Sequence, residues 1–87
     1  MPKSVFTDAY KTFLDVLIQA RKEAGVTQAE LAERLSKPQP WVSNIERGIR
    51  RVDVIEFIAI CGALGHNARD VFERLQVRIE LDVKLEI

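Results

Sequence analysis

Apolar residues recur at helical spacing through most of the chain and switch to strict alternation over its last twelve positions. Tyr10, Phe13, Leu14, Leu17 and Ile18 fall on one helical face and predict a helix from about Asp8 to Ala24. Thr7 or Asp8 suits its N-cap, and Gly25 follows its end, where a left-handed residue is wanted. Thr27-Gln28-Ala29-Glu30 has the form of a capping box, with Val26 and Leu31 as a hydrophobic staple, and opens a short helix ending near Leu35. A third helix fits about Pro38 to Glu46. Both Pro38 and Pro40 must sit at its start, where amide hydrogens have no intrahelical acceptor, and Gly48 closes it. Asp53-Val54-Ile55-Glu56 is a second capping box, stapled by Val52 and Phe57, and opens a helix that ends at Gly65. Asn67 caps a fifth, running to about Leu75.

From Gln76 the period changes. Every odd position from Val77 to Ile87 is apolar and every even one polar, the pattern of a strand with one buried face. A lone strand leaves its backbone groups unpaired, so its partner is expected to come from another molecule. Antiparallel twofold pairing centred on Asp82 sets Arg78 against Glu86 of the partner subunit and Glu80 against the partner's Lys84. It lines up Val77, Ile79, Leu81, Val83, Leu85 and Ile87 as a dimer interface.

Eighty-seven residues suit a single core, and 47% apolar with 30% charged residues is the balance of a globular chain. No apolar run approaches the roughly 20 residues that cross a bilayer, and MPKSVFTDAY lacks a secretory apolar core. Cys61 is the sole cysteine, which excludes an internal disulfide and fits a reducing, cytoplasmic setting. Net charge is zero but unevenly spread. Residues 27–51 carry five basic against three acidic side chains, whereas residues 52–87 carry four against seven. A phosphate-facing surface is therefore expected in the middle of the chain.

Two short helices joined by a tight Ser36-Lys37 connection have helix-turn-helix proportions. The stretches Arg21…Gly25-Val26-Thr27-Gln28-Ala29-Glu30-Leu31-Ala32, Pro38-Gln39-Pro40-Trp41-Val42-Ser43-Asn44-Ile45-Glu46-Arg47-Gly48 and Ala63-Leu64-Gly65 resemble the Cro/repressor (XRE-type) family, without a gap over about residues 10 to 75. The resemblance implies a mainly α fold. A five-helix, lambda-repressor-like DNA-binding domain (1–75) is then followed by one C-terminal β-strand (76–87) pairing antiparallel across a homodimer. It implies that the second helix of the motif enters the major groove of double-stranded DNA, presenting Gln39, Trp41, Ser43 and Asn44 to base edges. Gln39 and Asn44 each carry a donor and an acceptor, the pattern that bonds adenine bidentately. Gln28, at the start of its helix, is placed to hold a phosphate, and Lys37, Arg47, Arg50 and Arg51 border the reading helix as phosphate neutralisers. By the same resemblance Arg21 and Glu46 form a structural ion pair.

Two positions stay open. Pro40 stands where the family usually has a small polar residue, so one common contact is missing. Trp41 either touches a thymine methyl or sugar-phosphate wall, or anchors its helix to its own domain. His66, the one histidine, is expected in a solvent-facing loop, and Cys61 in the core beside Phe57, Ile58 and Leu64. Neither a metal cluster, a nucleophile-histidine-acid set nor a glycine-rich phosphate loop is evident, so no metal, cofactor or enzymatic activity is expected. The leading expectation is a sequence-specific regulator, a repressor at a near-palindromic operator. Two rivals are an antitoxin-like chain whose C-terminal strand joins a different protein, and an interaction module that has lost DNA binding.

Overall fold

Helix boundaries follow the capping residues. The structure, a computed structural model, describes residues 7–79. Within them lie α1 (Asp8–Glu23), α2 (Gln28–Arg34), α3 (Gln39–Glu46), α4 (Val54–Ala63) and α5 (Ala68–Ile79). The Thr7 hydroxyl accepts from the Tyr10 amide at 3.1 Å. Thr27 and Glu30 form both arms of a capping box (3.0 and 2.8 Å), as do Asp53 and Glu56 (2.7 and 3.0 Å). The Asn67 side chain accepts from the Arg69 amide at 2.8 Å. At the start of α3, Pro38 offers no side-chain cap, and the proline ring of Pro40 occupies the first turn.

Four helices also end alike, on a residue with positive φ: Gly25, Ser36, Gly48 and Gly65. After α2 the Ser36 amide donates to the Glu33 carbonyl and the Lys37 amide to Ala32, the paired bonds of a Schellman end. Ser36 holds φ at 57°, a conformation in which its Cβ crowds the backbone. This turn sets the angle between α2 and α3.

The core forms where α1 meets the other helices. Leu14, Leu17 and Ala20 of α1 pack with Val42 and Ile45 of α3, Phe57, Ile60 and Cys61 of α4, and Val71 of α5. Among the described residues fifteen hydrophobic ones are buried, and none of the buried ones is polar or charged. Removing water from each large side chain contributes about 1.5–3 kcal/mol, which is what holds helices this short. Cys61 has no exposure, and burial pushes its thiol up to about 11.

The expectation of a strand from Gln76 needs correction. Gln76, Val77, Arg78 and Ile79 are the end of α5, and no strand occurs among the described residues. Alternation hides a helical stripe: Val71, Leu75 and Ile79 are all odd positions, yet they are also four apart and share one helix face. Val71 is fully buried and Leu75 packs on the core, so α5 lies on α1 along this stripe. Arg74 to Glu23 (2.9 Å) and Arg78 to Asp15 (3.8 Å) reach across the same seam. Val77 is 65% exposed. The expected domain boundary between 75 and 76 falls inside α5, and Leu81, Val83, Leu85 and Ile87 lie outside the described residues.

His66 also departs from expectation. It is half-buried rather than solvent-facing, with Nε2 3.2 Å from the Ala20 carbonyl near the end of α1.

Candidate nucleic-acid interface

Helix α3 is buried along one side only. Val42 and Ile45 point into the core, and the opposite side carries Gln39, Ser43 and Arg47, four apart, with Pro40 and Asn44 beside them. Gln39, Pro40 and Arg47 are exposed and Ser43 and Asn44 half-exposed, so this row is open along the whole helix. The Ser43 hydroxyl donates to the Pro40 carbonyl at 3.3 Å, which leaves its oxygen able to accept from outside.

Trp41 does not belong to this row. It is half-buried, packs on the core, and shares a small cavity wall with Leu17, Leu31, Ile45 and Ile60. This packing fits the anchoring role of the two open to it. Its ring also organises charge. The Lys37 ammonium lies 5.5 Å and the Arg50 guanidinium 4.9 Å from the ring centre, within reach of the ring quadrupole.

What fixes α3 is a single carboxylate. Glu46 accepts from Arg21 twice, at Nε (2.6 Å) and a terminal nitrogen (3.0 Å), and from the Gln28 amide at 2.8 Å. Arg21 also donates to the Val26 carbonyl at 2.9 Å, so α1, the turn before α2, α2 and α3 meet at one point. The side chains of Arg21 and Glu46 are only 12% and 10% exposed, so the fork-to-fork pairing is worth more than a surface pair. Gln28, expected on phosphate, thus has one amide donor engaged inside the protein. Its place in the first turn of α2, half-exposed, still puts it at the rim of the α3 face.

The cations expected on phosphates fall into two groups. Lys37 and Arg47 are exposed at the two ends of α3. Arg50 is different: its guanidinium forms two bonds to Glu56 (2.8 and 3.0 Å) and one to the Arg51 carbonyl (2.9 Å). The Arg50 bonds, with the Asp53 amide, hold the Glu56 carboxyl down to about 2. Arg50 therefore ties the α3–α4 connection together, with its charge largely compensated. The Arg51 guanidinium lies 4.3 Å from the centre of the Tyr10 ring. Tyr10 in turn accepts from the Val52 amide at 3.2 Å, and burial raises its phenol above the ordinary range.

Sequence reasoning missed Glu56 as the partner of Arg50 and Glu46 as the partner of Gln28. It also missed Arg34, which donates to the Ala63 carbonyl at 2.8 Å and so ties α2 to the end of α4. Glu56 was legible only as a capping residue, because its second role depends on the loop bringing Arg50 back to it.

A helix-turn-helix family model matches residues 17–70, the span from mid-α1 into α5 that contains α2, α3 and α4. The chain belongs to the XRE-type helix-turn-helix family. An XRE-family like protein from Pseudomonas syringae pv. tomato is 43% identical with a TM-score of 0.76, the match covering 80% of this chain and 85% of that one. The clp gene regulator ClgR from C. glutamicum is 27% identical at TM-score 0.73, covering 88% and 100%. A mutant of the restriction-modification controller protein C.Esp1396I is 25% identical at TM-score 0.76, covering 88% and 98%. No curated protein matches the chain. Membership makes it a DNA-binding transcriptional regulator by fold and family. No helix among the described residues is long and apolar enough to cross a membrane.

Proposed function

We propose that the chain is a sequence-specific repressor that reads a near-palindromic operator as a homodimer, with α3 in the major groove. The open row of Gln39, Ser43 and Asn44 on a helix braced from behind by Glu46 carries the reading. A side chain discriminates bases only when its backbone is held still, and the brace to α1 and α2 supplies that stiffness. Gln39 and Asn44 supply paired donors and acceptors suited to adenine, each good pair contributing about 1–3 kcal/mol of discrimination. Lys37, Arg47 and Arg51, with the first turn of α2 at Gln28, take the backbone phosphates. Pro40 supplies no amide donor, so specificity rests on its neighbours. A twofold dimer sets two such helices about 34 Å apart, one turn of DNA, and hence favours a near-palindrome. Repression then needs nothing beyond occupancy.

Selection from random duplexes tests this directly. The expected result is enrichment of one near-palindromic sequence, with the preference relaxed at one position per half-site in Gln39→Ala. Recovery of unenriched duplexes would overturn it.

A further inference from the structure

Tyr10 grips the connection between α3 and α4 at two successive residues. From the first turn of α1 its hydroxyl accepts from the Val52 amide at 3.2 Å, and the Arg51 guanidinium lies over its ring, 4.3 Å from the centre. Tyr10 is itself buried and is steadied by Phe13, whose ring centre is 5.4 Å away. Arg51, by contrast, is exposed. The connection also folds back on α3, because the Ile49 and Arg50 amides both donate to the Asn44 carbonyl, at 2.9 and 3.2 Å. Arg51 therefore follows directly on the segment that closes the Asn44 end of the open row.

The two arginines of this connection are held in chemically different ways. Arg50 is bonded twice to the Glu56 carboxylate, which compensates its charge. An aromatic ring instead fixes the plane of a guanidinium through its quadrupole and adds no charge of its own. Burial raises the Tyr10 phenol above its ordinary range, so the ring is neutral at neutral pH. We infer that Tyr10 is a positioning residue for DNA binding, its ring ordering Arg51 in advance for a backbone phosphate without neutralising it. The inference rests on the reading above that Arg51 takes a phosphate, and adds what orients it. A long side chain that is unordered in the free protein loses its rotamer freedom on binding, whereas one already laid on a ring loses it on folding. The hydroxyl bond to Val52 fixes the register, because a connection shifted by one residue would take the guanidinium off the ring.

Anisotropy titrations of the full chain, on the selected duplex and on one of unrelated sequence at several salt concentrations, test this. Arg51→Ala is expected to lower the slope of log affinity against log salt by about 1 per half-site on both duplexes. Tyr10→Leu leaves that charge in place, so affinity is expected to fall about threefold to tenfold per half-site with the slope retained. Tyr10→Phe keeps the ring and is expected to stay within about twofold of the wild type. In the Arg51→Ala background, Tyr10→Leu is expected to cost nothing further, whereas a merely structural role would give the same loss in either background. Arg51→Lys, on the exposed side of the contact, keeps the charge but not the planar stack. It is expected to keep the slope and lose about threefold in affinity. A wild-type slope in Arg51→Ala, additive losses in the double variant, or wild-type affinity in Arg51→Lys would each overturn the inference. Each of those results leaves the wild type's salt-dependent binding in place. Absence of that binding would overturn the regulatory reading, and the inference with it.

Discussion

Arg21 of α1 and Glu46 of α3, 25 residues apart in sequence, are joined by two hydrogen bonds of 2.6 and 3.0 Å, and the same carboxylate holds Gln28. Helix α3 is thereby locked to the helix behind it and to the first turn of α2. Removing one partner from a largely buried pair leaves the other charge uncompensated, which costs about 3–5 kcal/mol. Glu46→Ala is therefore expected to lose about 3 kcal/mol in urea unfolding. Arg21→Met with Glu46→Leu is expected to regain most of it. Recovery of stability without recovery of DNA affinity would separate the positioning role from the structural one.

The Glu56–Arg50 pair makes an acid-dependent contribution. The Glu56 carboxyl is lowered from 4.5 to about 2 in the folded chain. A depressed folded-state pKa stabilises fully above the unfolded value, and that stability is lost as pH falls from about 4.5 through about 2. Urea midpoints measured across this window are expected to fall less steeply in Glu56→Gln than in the wild type. Equal slopes would show that the pairing contributes no stability in solution.

Ser36 pays a conformational cost that glycine avoids. With φ at 57° it is the one non-glycine residue with positive φ among those described. Ser36→Gly is expected to stabilise the chain by about 1 kcal/mol, or roughly 4–8 °C in Tm for a domain of this size. Unchanged or lowered Tm would mean that the serine hydroxyl compensates for its backbone.

Much of the fold was legible because local chemistry decides it. Both capping boxes, the Thr7 and Asn67 caps and the helix-ending glycines stand where the sequence places them. The end of α5 was not legible, because positions 71, 75 and 79 satisfy a strand's alternation and a helix's four-residue spacing at once, and only packing on α1 chooses. The same holds at the interface. The α3 row follows from periodicity, whereas the turning of Trp41 toward the core and the capture of Arg50 by Glu56 depend on where the loop of residues 47–53 runs.

That loop separates the cations by role. Each phosphate neutralised contributes about 0.9 to the slope of log affinity against log salt. Lys37→Ala and Arg47→Ala are each expected to reduce the slope by about 1. Arg50→Ala is expected to change it much less while lowering stability, because Glu56 already compensates that charge. Equal slope changes for all three would show that Arg50 leaves Glu56 when DNA binds.

The most direct measurement is fluorescence anisotropy of the wild type and Gln39→Ala on a selected duplex and on a copy altered at one base of each half-site, at several salt concentrations. With α3 reading the major groove, wild-type affinity falls steeply with salt and discriminates between the duplexes by about 1–3 kcal/mol per altered contact, and Gln39→Ala loses that discrimination while keeping the salt slope. Absence of salt-dependent binding, or discrimination unchanged by Gln39→Ala, would contradict a reading role for the face that begins at Gln39.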